Sequence, residues 1–207
     1  MKSTHNLIAK KISNRLSGSI FFPNDFRGFG SDDAIKMSLC RHRERGKIER
    51  IAHGIYYKPS KLDNDFPTLE SVAIAIAKKE RITIKPSGLA VLYKLGLVST
   101  APTDLVYITN GEPRNITIGG KRLMFKATTP KKLALSTELS GLIIQALEEI
   151  GQEGLNDTVI ARIKTHLKKV NQQSLKSDLK LAPGWIYNFL YKLNEQLKHQ
   201  NENTTIQ

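Results

Sequence analysis

Apolar residues in the first sixty positions follow a helical period and then a strand period. In "NLIAKKISNRL", Leu7, Ile8, Ile12 and Leu16 fall on one side of a helix and Lys10, Lys11, Asn14 and Arg15 on the other, so an amphipathic helix is predicted. "SGSIFFPNDFRGFGSDD" breaks the pattern: Pro23 suits the first turn of a very short helix ending near Phe26, and Gly28 and Gly30 turn the chain. Ser31 followed by Asp32 and Asp33 is a helix start, because a serine hydroxyl caps free amides and carboxylates favour the positive end of the helix dipole. A third helix is predicted from about Asp32 to Arg45, with Ile35, Leu39 and His42 on its inner face and Gly46 as a left-handed cap. Asp33, Ala34, Met37, Arg41 and Glu44 lie on the opposite, solvent-facing side, flanked by Lys36 and Cys40. "KIERIAHGIYYKP" then alternates, with His53 and Gly54 at a hairpin turn. Helices and hairpin in that order predict a winged helix-turn-helix over residues 1–60.

Residues 61–67, inside the polar, proline-bearing stretch "KPSKLDNDFP", read as a linker. A second domain over residues 68–200 opens with Thr68 capping a helix that carries Leu69, Val72, Ala73, Ile76 and Ala77 on one face. "RITIKPSG" is a short strand, "GLAVLYKLGL" a short apolar helix closed by Gly96, and Asn110-Gly111 and Gly119-Gly120 mark two hairpin turns between alternating strands. Helices follow from Lys131: "LALSTELSGLIIQALEEIG", then "NDTVIARIKTHLKKV" capped by Asn156 or Asp157, then "PGWIYNFLYKLNEQLK" started by Pro183. In the last of these Trp185, Phe189 and Leu193 form a stripe that reads as a buried seam rather than a cofactor box. Residues 201–207 read as a frayed tail, and the predicted class is α+β, with a small antiparallel sheet and C-terminal helices after the winged helix.

Composition leaves this picture intact; charge changes it. The chain of 207 residues is 40% hydrophobic and 25% charged, as in an ordinary globular protein, but 32 Lys and Arg against 19 Asp and Glu leave a net charge of +13. A field of that sign attracts polyanions. Residues 1–60 hold 12 of the basic and 5 of the acidic residues, so about half of the excess sits in under a third of the chain. A helix with such a face fits the DNA major groove, its exposed side chains meeting base edges while neighbouring cations neutralise phosphates. Ser31, Lys36, Met37 and Arg41 are placed nearest the bases, with Arg41 suited to a guanine, and Lys10, Lys11, Arg15, Arg43, Arg45, Lys47, Arg50 and His53 on the backbone. The same face also suits a protein-interaction module with a solvated basic surface. A second basic cluster, Arg114, Lys121, Arg122, Lys126, Lys131 and Lys132, reads either as a separate polyanion-binding face or as scattered surface charge.

Other chemistries lack their parts. The phosphate-cradling G-x-x-x-x-G-K-[ST], the dinucleotide G-x-G-x-x-G, H-E-x-x-H and C-x-x-C do not occur, and His5, His42, His53, His166 and His199 are not spaced as metal ligands. No enzyme activity, cofactor or metal is therefore predicted. The single cysteine, Cys40, excludes an internal disulfide and fits a reducing compartment. No apolar run approaches the ~20 residues that span a bilayer, and "MKSTHNLIAKKISNRL" has no long uncharged segment with a cleavage site, so a cytoplasmic protein with no membrane partner is the expectation.

Two blocks of residues carry a family resemblance. Leu39, Arg41, Gly46, Ile48, Arg50, Gly54, Tyr56, Tyr57 and Pro59 form the first; Pro86, Ser87, Gly88, Leu95, Gly96, Leu97, Ser99, Thr100, Pro102, Tyr107, Thr109, Asn110 and Gly111 form the second. Together they resemble the AbiEi-type antitoxins of bacterial type IV toxin-antitoxin systems, over about residues 20–150. His42 stands where that pattern has an apolar residue, and "AVLYKLGL" lacks the Asn that often precedes L-G-L. The resemblance implies a winged helix that represses its own promoter by binding double-stranded DNA. It also implies a C-terminal domain that counters a nucleotidyltransferase-like toxin in phage defence without forming a stable complex with it. Under that expectation the second basic cluster would meet RNA or the toxin's target. The alternative is a stand-alone winged-helix regulator or interaction module without antitoxin activity.

Overall fold

The computed structural model describes residues 3–60 and 66–204, with side chains placed through residue 199. It is a mixed α+β protein that divides into two units, Met1–Arg81 with Ile116–Leu123, and Ile82–Asn115 with Met124–Gln207.

In the first unit α1 (Thr4–Ser13) is followed by β1 (Ile20–Phe21), a 3-10 turn (Pro23–Phe26), α2 (Asp32–Glu44), β2 (Glu49–Ala52), β3 (Ile55–Tyr57) and α3 (Leu69–Glu80). α1 begins earlier than its apolar pattern suggests, because the Ser3 hydroxyl accepts from the Asn6 amide, and it ends at Asn14. Leu16, expected on its buried face, therefore lies beyond the helix and is 82% exposed. α2 starts on Ser31, which accepts from the Ala34 amide, and it ends as expected at Gly46, where φ is +64°. There the Lys47 amide donates to His42 O and the Gly46 amide to Arg43 O, closing the last turn.

Strands β2 and β3 form the predicted hairpin, with Ala52 opposite Ile55 across a two-residue turn and Gly54 at φ +69°. One strand was not legible in the pattern: Ile20 and Phe21 pair with Tyr57 and Tyr56, giving a three-stranded sheet of order β1-β3-β2. Ile8, Ile12, Phe21, Phe26, Ile35, Leu39 and Ile48 form the core beneath it, each worth about 1.5–3 kcal/mol on burial. α3, read from sequence with the second domain, falls in the first unit, where Lys79 sits 4.5 Å over the Phe22 ring. Of the expected linker, residues 61–65 lie outside the described residues, and Phe66 meets Tyr57 edge to face at 5.7 Å.

The second unit begins with β4 (Ile84–Ser87), α4 (Leu89–Lys94) and β5 (Leu105–Thr109). β6 (Arg114–Ile118) and β7 (Lys121–Ala127) follow in the chain, with Ile116–Leu123 around their turn grouped with the first unit, and the four strands are ordered β4-β5-β7-β6. Gly119 and Gly120 turn β6 into β7 with φ of +56° and +79°, as a tight hairpin needs. Asn110-Gly111 does not make the second predicted hairpin, since β5 lies between β4 and β7 and does not pair with β6. Its turn chemistry has another use: Asn110 Oδ1 accepts from the Thr83 amide at 2.8 Å and Thr109 Oγ1 donates to Thr83 O at 3.0 Å, tying the end of β5 to the start of β4.

Helices α5 (Pro130–Ala134), α6 (Leu139–Ile150), α7 (Asp157–Leu167), α8 (Gln172–Leu179) and α9 (Gly184–Thr204) complete the unit. Their core gathers Ile143, Ile144, Leu147, Ile163, Leu167, Ile186 and Leu190 with α4's Val91. On α9 the fully buried seam is Ile186, Leu190, Leu193 and Leu197, while Trp185 and Phe189 are half-buried at its side. α8 was not anticipated; its signal is Asn171, whose side chain accepts from the Gln173 and Ser174 amides. The helix expected to fray after residue 200 runs to Thr204, and 205–207 lie outside the described residues.

Candidate nucleic-acid interface

α2 divides cleanly by exposure. Ile35, Ser38, Leu39 and His42 are buried, while Lys36, Met37 and Arg41 face solvent. Met37 is 57% exposed, so a flexible thioether stands on open surface between two cations. Among the described residues the Arg41 guanidinium has no partner, which leaves its planar fork of donors available. Lys36 pairs with Asp33 at 3.5 Å, but both side chains are exposed and such a pair holds little. Ser31 is occupied as the helix cap, 3.3 Å from the Ala34 amide.

The cations placed on the DNA backbone by their sequence sort into two groups. Lys10 and Lys47 are exposed and without side-chain partners among the described residues. Arg43 reaches only the Cys40 sulfur, at 3.8 Å, and Arg50 folds over the hairpin turn onto His53 Nδ1 at 2.8 Å and Ala52 O at 3.3 Å, so both stay at the surface. Lys11 and Arg15 are used inside the unit. Lys11 donates to Asp25 O and lies 5.1 Å over Phe29, while Arg15 pairs with Asp25 at 2.8 Å and lies 5.0 Å over Phe21. Both heads are held within the unit by these contacts, which leaves less of either for a phosphate.

Behind α2 sits an arrangement that sequence reasoning did not reach. His42 is fully buried, neither ring nitrogen has a partner among the described residues, and its ring stacks on His5 at 4.5 Å with 6° between planes. His5 in turn meets Ser38 Oγ at 3.1 Å and Arg45 at 3.3 Å, so the pair joins α1 to the middle and the C-terminal end of α2. Burial holds the His42 pKa below its ordinary value and the charges of His5, Lys47 and Arg45 push it the same way, against a smaller upward pull from the His5 backbone. Lys58 was also missed: its ammonium donates to Ser13 O at 2.8 Å and Arg15 O at 2.6 Å, covering the carbonyl end of α1.

A model of DUF6088, described as a family of unknown function, matches residues 7–175. The chain belongs to that family. No curated protein matches it. In this DUF6088 chain the match runs from α1 through α2, the hairpin and both sheets and ends inside α8, so the face described above lies within the family's own extent.

The second basic cluster is distributed differently from what its spacing suggests. Lys121 and Arg122 belong to the strand tip grouped with the first unit; Arg114, Lys126, Lys131 and Lys132 belong to the second. Arg114 lies 5.3 Å over the Phe125 ring and Lys132 pairs with Glu148 at 2.7 Å, while Lys121, Arg122, Lys126 and Lys131 are exposed. Among the described residues no three His, Cys, Asp or Glu side chains gather as a metal site, and no helix is long and apolar enough to cross a membrane.

Proposed function

We propose that the first unit of this DUF6088 protein is a winged helix that reads double-stranded DNA with α2, and that the protein represses its own promoter as the antitoxin of a type IV toxin-antitoxin system. The observation that carries the DNA half is the exposed face of α2. It presents an Arg41 without a partner among the described residues beside Met37 and Lys36, stops at Gly46, and leads into a hairpin with His53 at its turn and the Arg50 side chain folded over it. A helix offers Arg41 to the O6 and N7 of a guanine, while Lys10, Lys47 and Arg43 on neighbouring surface neutralise phosphates. The +13 charge supplies the long-range attraction.

The antitoxin half is supported by the resemblance of two residue blocks, running from Leu39 to Gly111, to the pattern of AbiEi-type antitoxins. Under it the exposed cations Lys121, Arg122 and Lys126 on β7 are the polyanion-facing residues, acting on RNA or another target of a nucleotidyltransferase-like toxin. The chain itself acts without catalysis, as a binding protein. Exposed Met37 also favours a second reading, in which the same face meets protein and DNA binding is weak and insensitive to salt.

Hydroxyl-radical footprinting of the gene's own upstream region tests the DNA half: a protected stretch that disappears with Arg41→Ala supports it, and uniform cleavage with the wild-type protein ends it. Co-expression with the product of a neighbouring nucleotidyltransferase-like frame tests the other half. Restored growth supports an antitoxin; arrested growth with footprinting intact leaves a stand-alone regulator.

A further inference from the structure

We propose that the first unit holds a second binding site, a donor-rich cavity behind α2 that takes a phosphorylated small molecule and regulates the DNA-reading face. The regulatory half rests on the DNA assignment above; the binding half does not. The cavity is a half-open cleft of about 900 Å³, within the range of small-molecule sites, and lies between the ends of α1 and α2, the start of β2 and the chain after β3.

Its lining is unbalanced in a way that specifies a ligand. Arg45, Lys47 and Lys58 face it, and the one carboxylate among the lining residues, Glu49, already accepts from the Tyr57 hydroxyl at 2.9 Å. Arg45 spends one donor on His5, Lys47 has none engaged among the described residues, and Lys58 has two of its three on Ser13 O and Arg15 O. Three cationic heads with spare donors against the single carboxylate of Glu49 leave the lining net positive and call for an anion rich in acceptors. The fork of an arginine beside lysine ammoniums matches phosphate oxygens, which accept from several directions at once. Ile12 and Pro59 give the same cavity an apolar wall, against which a nucleoside or similar body would lie.

Two helices end here, and bare carbonyl ends would repel an anion. In this protein those ends are covered. Lys58 occupies Ser13 O and Arg15 O, and the amides of Gly46 and Lys47 occupy Arg43 O and His42 O. The cavity therefore presents cations where a helix terminus alone would present partial negative charge. Arg45 and Lys47 are also placed to meet DNA phosphates, so a bound small phosphate draws the same two heads inward and competes with DNA for them.

Isothermal titration calorimetry on the full chain at fixed ionic strength, with pyrophosphate, AMP and citrate as probes, tests the site. Saturable binding of pyrophosphate or AMP is expected, weakened about tenfold or more by Arg45→Gln and by Lys47→Gln, each checked for folding by circular dichroism, and unchanged by Lys168→Gln at the end of α7. Tighter binding of AMP assigns the apolar wall to a nucleoside, and tighter binding of pyrophosphate assigns a free polyphosphate. No saturable heat, equal weakening by Lys168→Gln, or citrate binding as tightly as either phosphate overturns the proposal. DNA anisotropy separates the two halves. A protein that binds DNA but no phosphate loses the site, whereas one that binds phosphate but no DNA keeps the site and loses the regulation. Where both bind, phosphate at matched ionic strength must raise the Kd for the duplex, and an unchanged Kd removes the regulatory half.

Discussion

Replacing His42 by Leu tests the packing of α2 through its dependence on pH. The imidazole is fully buried with both ring nitrogens unpartnered among the described residues, and Arg45, Lys47 and His5 surround it with positive charge. Folded His42 therefore takes a proton less readily than the unfolded chain, whose histidine titrates at the ordinary 6.5. The unfolded state then holds more protons below that value, so the first unit loses stability as the pH falls through it, down to the depressed folded pKa. The slope of that loss is at most about 1.4 kcal/mol per pH unit, reached only where the unfolded ring is charged and the folded one is neutral. His42→Leu removes this contribution. Above the titration range two effects oppose each other: leaving no unpaired buried nitrogen stabilises by about 1–3 kcal/mol, and losing the His5 stack costs about 0.5–1.5 kcal/mol. Trp185 lies in the other unit, so its fluorescence reports the wrong half. Amide hydrogen exchange across Ile35–Leu39, corrected for intrinsic rates, reads the right one. Parallel pH profiles for wild type and His42→Leu would refute the burial argument, because they would mean the folded ring is protonated as easily as the free one.

Other predictions address the second unit and the basic clusters. A Cβ at Gly141 would lie 2.0 Å from Ser136 O, so Gly141→Ala should destabilise that unit by several kcal/mol, on the order of the severest single substitutions, seen as a lowered urea midpoint by Trp185 fluorescence. Asp178 accepts from the Ser136 amide at 2.8 Å and from the Ser136 and Ser140 hydroxyls, so Asp178→Ala should cost at least about 2 kcal/mol in the same assay; an unchanged midpoint would show that water replaces the carboxylate. Lys121→Glu, Arg122→Glu and Lys126→Glu together should abolish rescue from the toxin while leaving DNA binding in place, and retained rescue removes the polyanion role of β7.

What the sequence revealed was local. Ser31 and Gly46 bound α2 because caps act through their own backbone neighbours, and the His53-Gly54 turn names its hairpin for the same reason. Pairings between distant segments left little trace. β1 is only two residues long, too short for alternation to register, and it exists because β3 offers it an edge. Asn110-Gly111 carried the signature of a hairpin, yet the Asn110 side chain accepts from the Thr83 amide, a partner that no local pattern indicates. Charge was readable as a total but not as availability. Lys11 and Arg15 look like phosphate contacts until Asp25 and the phenylalanine rings around it are seen to hold them, and the cavity at Arg45, Lys47 and Lys58 joins residues from three separate stretches.

Fluorescence anisotropy of the purified chain on its own upstream duplex and on a shuffled duplex, at two salt concentrations and with Arg41→Ala in parallel, tests the central claim most directly. Tighter binding to the native sequence is predicted, with log K falling against log salt at a slope of about −5 for five or six phosphate contacts. Arg41→Ala should cost about 1–3 kcal/mol and relax preference at one base pair, whereas Lys47→Ala should weaken both duplexes alike. Equal, weak and salt-insensitive binding to the two duplexes would contradict the account and make α2 a surface for some other partner.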